Sequence, residues 1–276
     1  MFILTGFGDE ISPDLNEQIK IFKKEGINYL ELRGVNNKNV LDLNNKEIKE
    51  IKEALDKNNI KISAIGSPVG KIGINDNFIE HLEKFKRALY LAKFFNTPYI
   101  RIFSYYIPEN ENPRKYRDEV IRRMRVKTEL AAKENIILLH ENESKIYGNI
   151  SNRCRDILDT VNSKNLKAIF DPANFVVEGE KPFTDCFDKL VNYVLYLHIK
   201  DARFGKSVHI TPAGEGDGEI KEILNALKQR NFNGFLSLEP HLSMAGSMSG
   251  FTGPELFMKA SQALKKVLKE INAQWM

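Results

Sequence analysis

Four apolar runs in the second half of the chain each end on a residue type that binds metal ions. They are Ile136-Ile137-Leu138-Leu139-His140-Glu141, Lys167-Ala168-Ile169-Phe170-Asp171, Val194-Leu195-Tyr196-Leu197-His198 and Phe235-Leu236-Ser237-Leu238-Glu239. From Glu141 to Asp171, His198 and Glu239 the successive gaps are 30, 27 and 41 residues. A strand, a loop and a crossover helix take roughly 30 residues. The spacing is therefore that of four successive βα units aiming ligands at one point. Three carboxylates and one imidazole make a hard, oxygen-rich site for one divalent ion. Such a donor set favours Mn²⁺ or Mg²⁺, with Zn²⁺ and Co²⁺ as alternatives. It also leaves coordination positions open for substrate oxygens.

The elements that must hold these residues are legible along the whole chain. Short apolar runs bounded by polar residues, Gly or Pro read as buried parallel strands. Such runs cover residues 2–7, 28–33, 60–65 and 97–103, and then the four stretches above. Amphipathic helices are expected between them: from Ser12-Pro13 with Ser12 as N-cap, over 45–58, 75–95, 113–135, 151–162, 182–191 and 219–230, and last over 254–273. About eight alternations of strand and helix fit an α/β fold of the (β/α)₈ TIM-barrel type, in one domain over residues 1–276. A doubly wound dinucleotide fold needs a glycine fingerprint after its first strand. Gly6-Phe7-Gly8-Asp9-Glu10-Ile11 lacks the third glycine and puts acids where a pyrophosphate would lie.

The chain has 276 residues, 42% hydrophobic and 28% charged, with a net charge of +4. That balance implies neither a nucleic-acid nor a membrane partner. No stretch has the apolar length to span a bilayer. Residues 1–10 lack the basic and apolar regions of a signal peptide, so a cytoplasmic protein is expected. Cys154 and Cys186 show no CxxC spacing and read as idle thiols in helices. The abundance of Lys, Asn and Ile reads as compositional bias.

The residues resemble the sugar phosphate isomerase/epimerase family of the xylose isomerase-like TIM barrels. The likeness runs over essentially the whole chain. It is carried by residues 6–13, by His140-Glu141-Asn142 with Tyr147-Gly148, by residues 170–175, by Leu197-His198-Ile199-Lys200-Asp201, by Gly214-Glu215-Gly216-Asp217 and by residues 236–240. The resemblance implies that Glu141, Asp171, His198 and Glu239 hold the metal. It further implies that Glu141 and Glu239 move a proton beside a carbonyl through an enediolate. It also points to a substrate arginine near Arg203. In some relatives a His stands three residues after the Asp; here that position is Asn174. That departure, with 5 histidines in all, argues against the endonuclease-IV-like DNA-repair branch, which uses many His ligands.

The candidate substrate contacts are Arg33, His140, Asn142, Asn174, Arg203, His209 and His241. Arg33 is assigned to the cavity, while Arg101 is assigned to pairing with rim acids such as Glu31. His81 is assigned to a helix exterior and Tyr105-Tyr106 to the pocket wall or loop packing. The Gly/Ser-rich stretch 243–250 is a candidate phosphate-binding loop. The leading function is a metal-dependent isomerase or epimerase of a sugar or sugar phosphate. The alternatives are a dehydratase of the inosose or dehydroshikimate type and a non-catalytic sugar-binding barrel. The oligomeric state, homodimer or homotetramer, stays open.

Overall fold

Apolar runs too short for helices pair with one another, and the chain between them is long enough to cross back over the sheet. In a computed structural model, which describes residues 1–205, 209–242 and 252–276, this produces a ring of parallel strands. The strands are β1 (Ile3–Gly6), β2 (Tyr29–Leu32), β3 (Lys61–Ile65), β4 (Tyr99–Ile102), β5 (Ile137–Glu141), β6 (Leu166–Phe170), β7 (Val194–Ile199) and β8 (Phe235–Leu238). From β2 to β8 each strand pairs with the next, and β8 pairs with β1. The remaining seam, between β1 and β2, is met by a parallel bridge from Phe7 to Glu31. The expected (β/α)₈ barrel is what the chain forms.

The helices are α1 (Leu15–Lys24), α2 (Asn45–Lys57), α3 (Phe78–Phe94), α4 (Arg117–Lys133), α5 (Ser151–Val161), α6 (Pro172–Val177), α7 (Ile220–Gln229) and α8 (Pro254–Glu270). A π-helical turn, Pro182–Phe187, runs on into Asp188–Leu190 where one longer helix was expected. The N-cap of α1 is Asp14, whose side chain accepts from Glu17 N, and not Ser12. Ser12 Oγ accepts from Asp14 N instead, two residues too early to cap.

Side chains alternate between the two faces of a strand. Outward residues meet the helices in one large core that includes Leu30, Phe85, Met124, Leu138 and Phe257. Inward residues fill the barrel as a smaller cluster of Ala64, Leu139, Ile169 and Tyr196. Glu141, Asp171, His198 and Glu239 continue this inward parity beyond the apolar cluster.

Most helices stop on asparagine. Asn59, Asn96, Asn135, Asn162, Asn231 and Asn272 have φ between +47° and +57°. Behind them the helical carbonyls are closed by long-reach bonds such as Ile60 N to Leu55 O and Ile136 N to Ala131 O. Asparagine tolerates the left-handed backbone because its short amide bonds locally.

Asp201 and the glycine motif after it prove to be scaffolding. Asp201 Oδ1 accepts from Ala202 N and Gly218 N at 2.8 Å, and Oδ2 from Gly214 N at 2.8 Å and Gly216 N at 3.1 Å. A Cβ at Gly216 or Gly218 would lie 2.4 or 2.5 Å from Asp201 Oδ1. This carboxylate ties the hairpin Asp201–Arg203 with His209–Thr211 to the entry of α7. Asp201→Ala leaves these amides without their acceptor, and water reaches only part of the loop. The expected loss is about 2 kcal/mol of stability, read as a lowered urea midpoint; an unchanged midpoint refutes the role.

His81 is buried at 4% exposure rather than on a helix exterior, and its Nε2 accepts Gly70 N at 2.8 Å. Burial, then Lys127, Lys84 and Arg123, push its pKa down to about 4 against the pull of Asp76. The folded chain keeps this ring neutral while the unfolded chain protonates it below the usual histidine value. Its contribution is therefore complete above about pH 6.5 and is lost as pH falls toward 4. His81→Gln retains an acceptor and should remove on the order of 2 kcal/mol of acid sensitivity in that window. Melting curves from pH 4 to 7 with unchanged slope would refute this.

Candidate metal and substrate site

The four strand ends meet. Glu141 is the last residue of β5, Asp171 follows β6, His198 lies near the end of β7 and Glu239 follows β8. One ligand atom from each can be chosen so that all lie within 4.8 Å of one another, and all four residues are buried. His198 Nδ1 lies 2.9 Å from Glu141 Oε1 and 3.2 Å from Glu239 Oε2. Ligands about 2.1 Å from an ion are separated by at most about 4.2 Å. Side-chain adjustments of a few tenths of an ångström therefore bring the set onto a divalent ion. The donor chemistry and spacing fit one.

Basic side chains surround the acids. Lys200 Nζ lies 2.9 Å from Asp171 Oδ2 and 3.5 Å from Glu239 Oε2. Arg101 Nη1 lies 3.2 Å from Glu141 Oε2 and 3.7 Å from Glu239 Oε1. Arg33 Nη1 reaches Glu239 at 2.9 Å, while its Nε and Nη2 bind Asp9 and Glu10. Both guanidiniums lie over Phe7, at 4.3 and 4.9 Å from the ring centre, so the ring fixes their planes. Deeper in the barrel, Glu31 is fully buried and its Oε2 lies 3.3 Å from His198 Nε2.

These charges set the protonation states. Burial pushes the Glu141 carboxyl up, but His198 and Arg101 outweigh it and hold it at about 2. Burial opposes ionisation of Glu239 too, and Lys200, His198 and His241 hold it well below the carboxylate range. Asp171 goes the other way, to about 6, because burial and the repulsion of Glu141 and Glu239 exceed the help of Lys200. His198, despite its burial, is raised by Glu141, Glu31 and Glu239.

Arg33 stands in the cavity as expected, and His241 stands at its rim, with Nε2 3.2 Å from Glu10 Oε1 and 3.4 Å from Glu239 Oε1. Five expected substrate contacts lie elsewhere. His140 has the opposite parity to Glu141 and points out of the barrel, buried against Gly148. Asn142 spends its amide on Asp171 O and Asp171 N, and Asn174 donates to Asn142 O. They lock the ends of β5 and β6 together. Arg203 is exposed and donates to Glu215 O, and His209 is its exposed partner in the hairpin.

Arg101, assigned to a structural role, stands beside Glu141 and also donates to Gly66 O and Ser67 O. Tyr105 is buried beneath Arg123 and Lys127. The stretch 243–250 lies outside the described residues. Sequence reasoning gave Lys200 no role in the site and placed Glu31 at the rim as a partner for Arg101. Lys200 shares parity with His198, and Glu31, which shares parity with Arg33, is buried beside His198 while Arg101 pairs with Glu141 and Glu239. A cavity of about 520 Å³ opens above Glu239, walled by Arg33, Arg101, Lys71, Glu143 and His241. Among the described residues no helix is long and apolar enough to cross a membrane.

A family model described as xylose isomerase-like TIM barrel matches residues 19–267. Among curated proteins, a 3-dehydroshikimate dehydratase of Bacillus anthracis is 25% identical over 139 residues, 50% of this chain and 49% of that protein. The match thus spans about half the length of that curated relative. Among solved structures, a D-tagatose 3-epimerase-like protein aligns with a TM-score of 0.78 at 18% identity, over 98% of each chain. A xylose isomerase-like TIM-barrel protein from Mycobacterium smegmatis, in complex with magnesium, aligns with a TM-score of 0.70 at 17% identity, over 97% of each chain. At these identities the structural likeness speaks for the fold alone.

Proposed function

The chain belongs to the xylose isomerase-like TIM-barrel family, and from that membership and its buried four-residue cluster we propose a divalent-metal-dependent isomerase or epimerase of a sugar or sugar phosphate. The observation that carries this reading is the convergence of Glu141, Asp171, His198 and Glu239 within 4.8 Å. These four residues would hold the ion, with Mn²⁺ or Mg²⁺ best suited to three carboxylates. When bound, the ion supplies Lewis-acid polarisation of a substrate carbonyl.

The remaining work falls to the chain's own groups. Glu141 and Glu239 are held ionised, so either can accept the proton on the carbon beside the carbonyl. Return of that proton to the adjacent carbon is isomerisation. Delivery of a proton to the opposite face of the same carbon is epimerisation; the second glutamate, also ionised, must first take that proton from solvent and then pass it on. Lys200, buried among the carboxylates, faces the negative charge that develops on substrate oxygen. Arg33 and His241 at the cavity wall bind substrate hydroxyls or an anionic substituent, while Asn142 and Asn174 fix the strand ends. We assign the activity to a single barrel domain in the cytoplasm.

The dehydratase reading draws on the curated relative from Bacillus anthracis. It shares the first half-reaction and differs in expelling hydroxide from the enediolate. One screen separates the readings: ketoses, ketose phosphates, inososes and 3-dehydroshikimate in D₂O with Mn²⁺, followed by mass spectrometry. Deuterium gained in an isomeric product supports the isomerase or epimerase. A product lighter than its substrate by one water assigns the dehydratase. Absence of exchange and turnover, or activity unchanged after chelation, overturns the metal-dependent reading.

A further inference from the structure

Glu31 is a carboxylate at the heart of the barrel with no access to solvent. Its Oε2 accepts from Tyr196 Oη at 2.8 Å and from Ser237 Oγ at 2.7 Å. Tyr196 Oη also meets Ser63 Oγ at 2.9 Å, and Ser63 Oγ meets Thr5 Oγ1 at 2.8 Å. Tyr196 has one proton and gives it to Glu31, so Ser63 must donate to Tyr196 and Thr5 to Ser63. The hydroxyl chain therefore runs one way and ends on Glu31, each bond polarising the next. Among the described residues Glu31 Oε1 has no hydrogen-bond partner. A buried carboxylate with an unused oxygen is costly in a barrel interior that apolar residues could fill.

The geometry of His198 supplies the reason to keep it. Nδ1 faces the ligand oxygens of Glu141 and Glu239, at 2.9 and 3.2 Å. Nε2 faces the other way, 3.3 Å from Glu31 Oε2 and not yet aligned for a hydrogen bond. An imidazole binds a metal only through a bare nitrogen, and the partner of its other nitrogen decides which one is bare. We propose that Glu31 is a positioning residue: it holds the proton on His198 Nε2 and so presents Nδ1 to the ion. Tyr196 and Ser237 hold the carboxylate in place from below. The inference rests on the metal-site reading above and adds a fifth residue to it, contributed by β2, on the opposite side of the barrel from β6.

The test compares wild type with Glu31→Gln, both labelled with ¹⁵N-histidine and titrated with Zn²⁺ against a chelating dye. With 5 histidines in the chain, a His198→Gln spectrum assigns the ring. In the zinc-loaded wild type, long-range ¹H–¹⁵N correlations should show the proton on Nε2 and none on Nδ1. Glu31→Gln should bind zinc about 10–100-fold more weakly. A proton on Nδ1 in the loaded wild type, or equal affinities, overturns the inference. If wild type binds no zinc, the metal reading fails by itself. The metal-free spectrum then decides on Glu31, because an Nε2 without a proton refutes its role. If Glu31→Gln does not fold, the wild-type spectrum alone is decisive.

Discussion

Glu239→Gln is expected to lower solvent-deuterium exchange into the substrate by about 10²–10⁴-fold at saturating Mn²⁺, the usual worth of a positioned general base. Glutamine keeps an amide oxygen for the ion and nearly the same volume, so the loss reports proton transfer more than metal loss. Arg33 forfeits its 2.9 Å contact with a charged Glu239 but keeps Asp9 and Glu10, and the cavity wall stays in place. Glu141→Gln should cost a comparable factor. It also removes a charge facing Arg101 and His198, as Glu239→Gln removes one facing Arg33, Lys200 and His198, so the melting temperature should fall in both variants. Exchange within about tenfold of wild type in both variants would show that neither glutamate is the base. A large loss in one variant alone would assign the base and leave proton return to another group.

Lys200→Met carries the second large effect. The ammonium is buried and compensates Asp171 and Glu239. Breaking a buried ion pair from one side costs about 3–5 kcal/mol, because the other charge stays behind unpaired. In chelator, the unfolding free energy should drop by that amount, read as a lowered denaturant midpoint. With saturating Mn²⁺ the drop should be much smaller, since the divalent charge replaces what the lysine supplied. The variant should also bind Mn²⁺ more tightly, having lost a competing cation, and yet turn over more slowly. Equal destabilisation with and without metal would mean that Lys200 and the ion do not share these carboxylates.

Much of this was legible because strands have a fixed period. Each apolar run ended on its ligand, and the parity that takes Leu139 inward takes Glu141 inward as well. The same rule excludes His140, one residue earlier, from the cavity. It also admits Lys200, two residues after His198, and Glu31, two before Arg33. Lys200 was overlooked for a reason of charge: a lysine beside a cation site looks repulsive until the count of carboxylates is known in space. Glu31 was set at the rim because an acid two residues before Arg33 looks like a partner for an arginine. Asn142 and Asn174 were illegible in principle. Their amides turn to the backbone of the neighbouring strand end, and no one-dimensional pattern records that register. Arg203 and His209 were misplaced because they belong to a short antiparallel hairpin, whose three-residue strands leave no periodicity to read.

The asparagine helix stops change how the chain's composition should be understood. A left-handed stop can be made with glycine, which adopts it freely but is looser when unfolded, or with asparagine, which is slightly strained but stiffer when unfolded. The two costs are each roughly 0.5–1 kcal/mol and oppose one another. Exchange between them at Asn59, Asn96, Asn135, Asn162, Asn231 and Asn272 is thus close to neutral for selection. Mutational drift toward A/T-rich codons can rewrite these positions without moving a strand end. A homologue that stops the same helices with glycine should therefore keep the same strand ends and a closely similar stability.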